Sequence, residues 1–273
     1  MVLVLAVCWS GLARAGSTVR VVVSVEPQRW LVEQIGDDRV EIDVLVAPGE
    51  SPATYQPSDS QITRLMQADL YLRIGVPFER GPWFEAISGI GRLPVVDQRQ
   101  GIQLAGDDPH IWLSPRLLAI QSRTTADALS RLDPGHRDRF EKNLAELQSR
   151  LSRLDERIRQ RLEPFAGREF FVFHPSWGYF AAEYGLVQRA IEIEGREPSD
   201  QELTVLQKRA RQAGATTVFV QPQIHARGAH AFAAVIGAGV ETLDPLAADV
   251  AANLEVTAGK LERAFAQGPR HGN

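Results

Sequence analysis

Residues 133–164 read DPGHRDRFEKNLAELQSRLSRLDERIRQRLEP. Asp133-Pro134 supplies an N-cap and a proline at the first helical position, and Pro164 supplies a stop. Between them Phe140, Leu144, Leu147, Leu151, Leu154, Ile158 and Leu162 recur at spacings of four and three. They form one apolar stripe on a helix on the order of 45 Å long, at about 1.5 Å per residue. The stripe is close to a heptad, so a coiled-coil dimerisation helix stands as the alternative to a stiff strut between two lobes.

On both sides of this helix, short β-branched runs alternate with amphipathic stretches, the α/β pattern. Strands are expected at 19–25, 41–46, 70–74 and 94–97 before it, and at 169–173, 187–191, 217–220 and 240–243 after it. Further helices are expected at 200–212, with Ser199 as cap, and at 247–266. The expected fold class is therefore α/β, with two lobes, each a mainly parallel sheet flanked by helices, joined by one long rigid helix. The boundaries are a signal peptide at 1–15, an N-terminal lobe at 16–132, the linking helix at 133–164 and a C-terminal lobe at 165–273.

The first fifteen residues, MVLVLAVCWSGLARA, are apolar and end in Ala13-Arg14-Ala15, the small-x-small pattern of a signal-peptidase site. No Lys or Arg follows Met1, so the usual basic start is missing. A buried first element is the competing reading, and acylation of Cys8 is disfavoured by Val7 before it. Cleavage would make an exported, periplasmic chain without cysteine. Beyond this segment nothing approaches the 18 or more apolar residues of a membrane-spanning helix.

Composition narrows the chemistry. The 273 residues carry a net charge of −4, with no basic excess to neutralise phosphates, which excludes nucleic acid as a partner class. One cysteine excludes zinc ribbons and fingers, so any metal site must use histidine and carboxylate. Imidazole with carboxylate suits Zn(II), Mn(II) or Fe(II).

Parallel α/β sheets place ligand sites at the carboxyl ends of their strands. Four turn-rich segments follow expected strands or the polar loop at 98–107: Ala47 to Ser58, Asp107 to Pro115, His174 to Phe180, and Asp244-Pro245-Leu246. His110, His174 and Asp244 thus stand at strand ends or prolyl turns. They lie far apart in the chain and form no local motif, and a histidine after a strand is more often a hydrogen-bonded structural residue than a ligand.

Taken together and in order, these pieces carry a resemblance. Pro48-Gly49 to Pro57, Asp108-Pro109-His110-Ile111-Trp112-Leu113-Ser114-Pro115, His174-Pro175-Ser176-Trp177-Gly178-Tyr179-Phe180, Glu194-Gly195-Arg196-Glu197-Pro198-Ser199 and Asp244-Pro245-Leu246 are similar to the ZnuA/TroA-like solute-binding proteins of zinc and manganese ABC importers, of the cluster A-I type. The resemblance spans essentially the whole mature chain. It implies two lobes linked by one long helix, with a metal held in the cleft by three histidines and a carboxylate. His110 matches the second ligand, His174 the third and Asp244 the fourth. The first is missing: the family usually reads Pro-His-x-Tyr where this chain reads Pro52-Ala53-Thr54-Tyr55, and alanine has no donor atom. Water, Glu50 or, less favourably, Tyr55 or Gln56 would fill the gap. The family's His- and Asp-rich loop is absent from 98–107.

The resemblance implies a periplasmic, monomeric binding protein that captures a divalent metal, zinc first and manganese or iron otherwise, and delivers it to an ABC importer permease. Ligation by unprotonated imidazole predicts affinity that falls as pH drops through about 6.5. Two other classes compete. A metallo-hydrolase would use the open metal position with Glu50 as base, but lacks an H-E-x-x-H helix. A degenerate, non-metal-binding interaction or adhesion protein is motivated by Ala53. Trp112 and Trp177 are expected to wall the cleft, His136 to be solvated, His225 or His230 to serve at most as a weak capture ligand, Glu197 to pack or support the site, and His271 to sit in a Gly-rich tail.

Overall fold

The computed structural model describes residues 18–192, 196, 198–224 and 227–268. The expected signal peptide, Glu194, Glu197, His225 and His271 lie outside these residues.

The first half of the chain runs β1 (Val19–Val23), α1 (Glu26–Gly36), β2 (Val40–Val44), α2 (Asp59–Met66), β3 (Leu70–Arg73), α3 (Pro82–Ile90), β4 (Val95–Asp97) and α4 (Pro115–Leu132). The long helix α5 spans Arg137–Leu162. The second half runs β5 (Glu169–Val172), α6 (Gly178–Glu183), β6 (Val187–Ala190), α7 (Asp200–Gln212), β7 (Thr217–Val220), α8 (Arg227–Ile236), β8 (Gly239–Thr242) and α9 (Val250–Gln267).

Each half makes a four-stranded sheet, ordered β2-β1-β3-β4 and β6-β5-β7-β8, and every described pairing is parallel. The same topology thus occurs twice, although no repeat is visible in the sequence. In such sheets the strand order reverses beside β1 and beside β5, and ligands bind beyond the carboxyl ends at those points. The alternation of side chains along β5 shows how one strand serves two cores. Phe170 and Val172 join the large apolar cluster that also holds the α5 stripe, while Phe171 and Phe173 face a smaller cluster with Val218, Ala229 and Phe232.

All seven residues of the predicted stripe are buried, and they are the complete buried set of α5. They pack within the chain, against α1, α4 and α9. That burial leaves no stripe for a coiled-coil partner. The helix starts later than expected, however. Pro134–His136 forms a 3-10 turn, and the Asp133 carboxylate, instead of capping α5, accepts from Arg39 and contacts His136 Nδ1. Competition from a guanidinium for the capping carboxylate is the physical reason. Ser199 caps α7 as expected, in a capping box with Glu202.

Direct contacts tie the halves together. Trp112 Nε1 donates to the Pro245 carbonyl at 2.7 Å. Glu183 of α6 accepts from Ser114 and Arg116 at the start of α4 and from Arg159 of α5. Among the described residues no helix is long and apolar enough to cross a membrane.

Candidate metal centre

His110 ends the long loop after β4 and precedes a 3-10 turn, Ile111–Leu113, whose three side chains are buried at 1% exposure or less. Ser114 then caps α4 by accepting from Leu117 N, with Pro115 at the first position. Anchored on that side, the His110 backbone is also fixed on the other: Asp108 Oδ1 accepts from His110 N at 2.9 Å in an Asx-type turn. The same oxygen lies 2.7 Å from His110 Nδ1. A carboxylate accepts, so in the neutral imidazole the proton sits on Nδ1 and Nε2 is the nitrogen left for a ligand.

His174 repeats the arrangement in the other half. It follows Phe173, whose N–H donates to Phe219 O, so the residue leaves the end of β5 in a fixed direction. Its Nδ1 lies 3.1 and 3.2 Å from the two oxygens of Glu192, which stands just past β6. Carboxylates behind ligating histidines orient the ring and raise its basicity. The two imidazoles come together: their centroids are 5.5 Å apart at an interplanar angle of 75°. Two imidazoles on one tetrahedral zinc, with Zn–N near 2.0–2.1 Å, place their centroids about 5 Å apart. The observed separation of the two rings is close to that value.

Both rings line one cavity of about 340 Å³ between the halves. Ala53 lines it as well, together with Ser51 and Pro52. The position of the missing histidine thus faces the site. Glu50 is exposed and outside the lining. Tyr55 is turned away, its hydroxyl donating to Gln61 at 2.7 Å and its ring edge-on to Phe78. Neither replaces the absent imidazole here.

Asp244 is placed differently from expectation. Its neighbours Pro245 and Leu246 line the cavity but it does not, and its Oδ1 accepts from Gln223 Nε2 at 2.7 Å and from Leu246 N at 2.9 Å. Among the described residues, no group of three His, Cys, Asp or Glu side chains converges to hold a metal ion. The structure brings two of the three expected ligands together and keeps the third at the rim, bound to an amide. Trp112 walls the cavity, edge-on to His110. Trp177 instead enters the core against Phe180, and His230 is exposed on α8.

Several residues important to this geometry carried no role in the sequence. Asp108 was visible in its Asp-x-His spacing, but Glu192 had no local signal. Tyr179 is the third: its hydroxyl receives the Ala105 N–H at 3.0 Å and donates to the Asp108 carbonyl at 3.1 Å, tying the His110 loop to α6. Burial pushes this phenol above its ordinary range, so it stays a neutral link. Gly178 beside it leaves room for Asp108, since a Cβ there would stand 2.8 Å from Asp108 Oδ2. On the opposite wall, Glu79 accepts from Ile74 N and Gly75 N and so sets the Val76-Pro77 turn that lines the cavity. Burial raises the Glu79 carboxyl above its usual range despite these donors. Gly75 sits at φ +89°, and a Cβ there would run into the Arg99 guanidinium, so this turn requires glycine.

Comparison with known proteins matches residues 21–257 to the model of the family described as ZnuA, zinc-uptake complex component A, periplasmic. A Chlamydia muridarum protein named only for a proposed metal binding is 30% identical over 243 residues, covering 86% of this chain and 87% of its own. Two crystal structures of ZnuA, one of them a deletion mutant with zinc bound, superpose with a TM-score of 0.87 at 44% and 43% identity, covering 91% and 93% of this chain and 100% of theirs. A manganese ABC transporter substrate-binding lipoprotein, PsaA of Streptococcus pneumoniae, is 25% identical and covers 72% of this chain and 70% of its own.

Proposed function

Because the chain belongs to the ZnuA family of metal-binding components of ABC importers, we propose that it captures a divalent transition metal, zinc first, in the cleft between its halves and hands it to a membrane permease from the periplasm. The family consists of transport binding proteins and not enzymes, so the metallo-hydrolase reading is set aside.

The observation that carries the proposal is the pair of histidines, one from each half, each backed by its own carboxylate. Metal binding through Nε2 of His110 and His174 joins the two halves, and the bound ion adds to the contacts already made by Trp112 and Glu183. Asp244 would enter as a third ligand by exchanging its bond to Gln223 for one to the metal. Manganese or iron in the same role is the second reading, favoured by Ala53, whose loss of an imidazole makes the donor set less nitrogen-rich.

The test is a competitive titration of Zn(II), Mn(II) and Fe(II) against the mature chain and against Ala53→His. Preference for Zn(II), increased further in the variant, supports the proposal. Absence of binding by all three ions, in both proteins, contradicts it and supports an interaction protein that has lost its metal.

A further inference from the structure

The cleft is large for its cargo. A water's share of liquid is about 30 Å³, and a cavity of about 340 Å³ falls in the range of sites that enclose small organic ligands, about 300–1,000 Å³. Its polar lining on the second half is also of an unexpected kind. Beside His174 stand three glutamines, Gln188, Gln221 and Gln223. Gln221, only 8% exposed at the end of β7, makes no side-chain hydrogen bond among the described residues, and its amide is not sealed from the cavity. Gln188 accepts from Trp177 N at 2.6 Å through Oε1, which leaves its NH₂ as a donor. The Gln188 NH₂ and the unpaired Gln221 amide can each donate to a carboxylate acceptor, whereas Gln223 has its NH₂ on Asp244 and its buried Oε1 without a partner among the described residues, an oxygen that suits the cation.

Building on the metal-capture reading above, we infer that the cleft takes its metal as a complex with a small carboxylate-bearing chelator, of the size of a free amino acid or citrate. The chelator occupies the position that Ala53 leaves open and the one that Asp244 would take with a bare ion, Asp244 staying on the Gln223 amide, and its carboxylate receives the Gln221 and Gln188 amides. His110 and His174 hold the metal on its other side. Two protein imidazoles and an alanine then become a complete site for a chelate, where they are an incomplete one for an ion.

The test is native mass spectrometry with a parallel zinc competition titration on the mature chain, using Zn(II) alone, Zn(II) with L-histidine and Zn(II) with citrate. The expected result is a complex of one chain, one zinc and one chelator with at least one of the two, and zinc uptake tightened at least about tenfold at matched free Zn(II). Gln221→Leu reduces that gain, and Ala53→His, which supplies the missing imidazole, binds zinc without the chelator. Zinc bound without any chelator mass, with both chelators acting only as competitors, overturns the inference while leaving metal capture intact. So does an adduct unchanged in Ala53→His. Failure of zinc to bind in every arm overturns the metal-capture reading and this inference with it.

Discussion

His110 and His174 face one another edge to face with ring centroids 5.5 Å apart, although the whole of α4 and α5 separates them in the chain. Each ring has its Nδ1 against a carboxylate, Asp108 or Glu192, and both histidines line the same cavity.

If both rings hold one ion, removing either removes most of the affinity. His110→Ala and His174→Ala are each expected to weaken zinc binding more than the 10–100-fold typical of an outer-shell change, and the double variant to lose little more than the worse single one. Competition against a chromogenic zinc chelator measures all three.

The supporting carboxylates make a separate prediction. Asp108→Asn and Glu192→Gln keep size and hydrogen-bonding capacity but lose the charge that fixes the tautomer, so each is expected to cost about 10–100-fold in zinc affinity. Far-UV circular dichroism should remain that of the parent, since neither residue belongs to an apolar cluster.

Gly178→Ala acts on the site from the other half of the molecule. Its new methyl would meet Asp108 Oδ2 at 2.8 Å, pushing Asp108 and with it the His110 ring. The expected outcome is a loss of zinc affinity of about tenfold, in the range of an outer-shell effect, with a melting temperature close to the parent's. An unchanged affinity would show that Asp108 can give way without disturbing His110.

Hydrogen bonds from Arg209, and then Arg189, hold the Glu169 carboxyl down at about 2, joining the start of β5 to β6 and α7. A carboxyl lowered on folding stabilises above its unfolded range, near 4.5, and that contribution is lost as pH falls from there through about 2. Arg209 is half exposed, so Glu169→Gln is expected to cost only about 1 kcal/mol at pH 7. The difference from the parent in urea denaturation should shrink below pH 4 and vanish near 2.

Within the spine, Leu151 is 2% exposed in the stripe of α5. Leu151→Ala is expected to cost about 2–5 kcal/mol by loss of contacts and a residual cavity, read by the same denaturation experiment. A cost below about 0.5 kcal/mol would place the stripe on a surface instead.

What the sequence made legible follows from the range of the forces involved. The α5 stripe, the Ser199 cap and the eight strands rest on periodicity and neighbouring residues, and the observed elements lie within a few residues of the expected ones. Asp133 was misread because its carboxylate is taken by Arg39, a partner from a distant part of the chain. The site divided the same way. His110 and His174 were readable as strand-end and prolyl-turn histidines strengthened by a family likeness, and Ala53 as the gap among them. The bond between Gln223 and Asp244, the Glu192 support and the glutamine-lined wall depend on how β6, β7 and β8 stand side by side, which no single stretch of sequence states.

Binding of one metal ion between the imidazoles of His110 and His174 can be read at the metal itself, by X-ray absorption at the zinc edge on the protein loaded with one equivalent of Zn(II) and no added chelator. Two imidazoles at about 2.0–2.1 Å, with the remaining scatterers light oxygen atoms, is the predicted result, falling to one imidazole in His110→Ala. A zinc without imidazole neighbours, or a spectrum unchanged by that substitution, would contradict it.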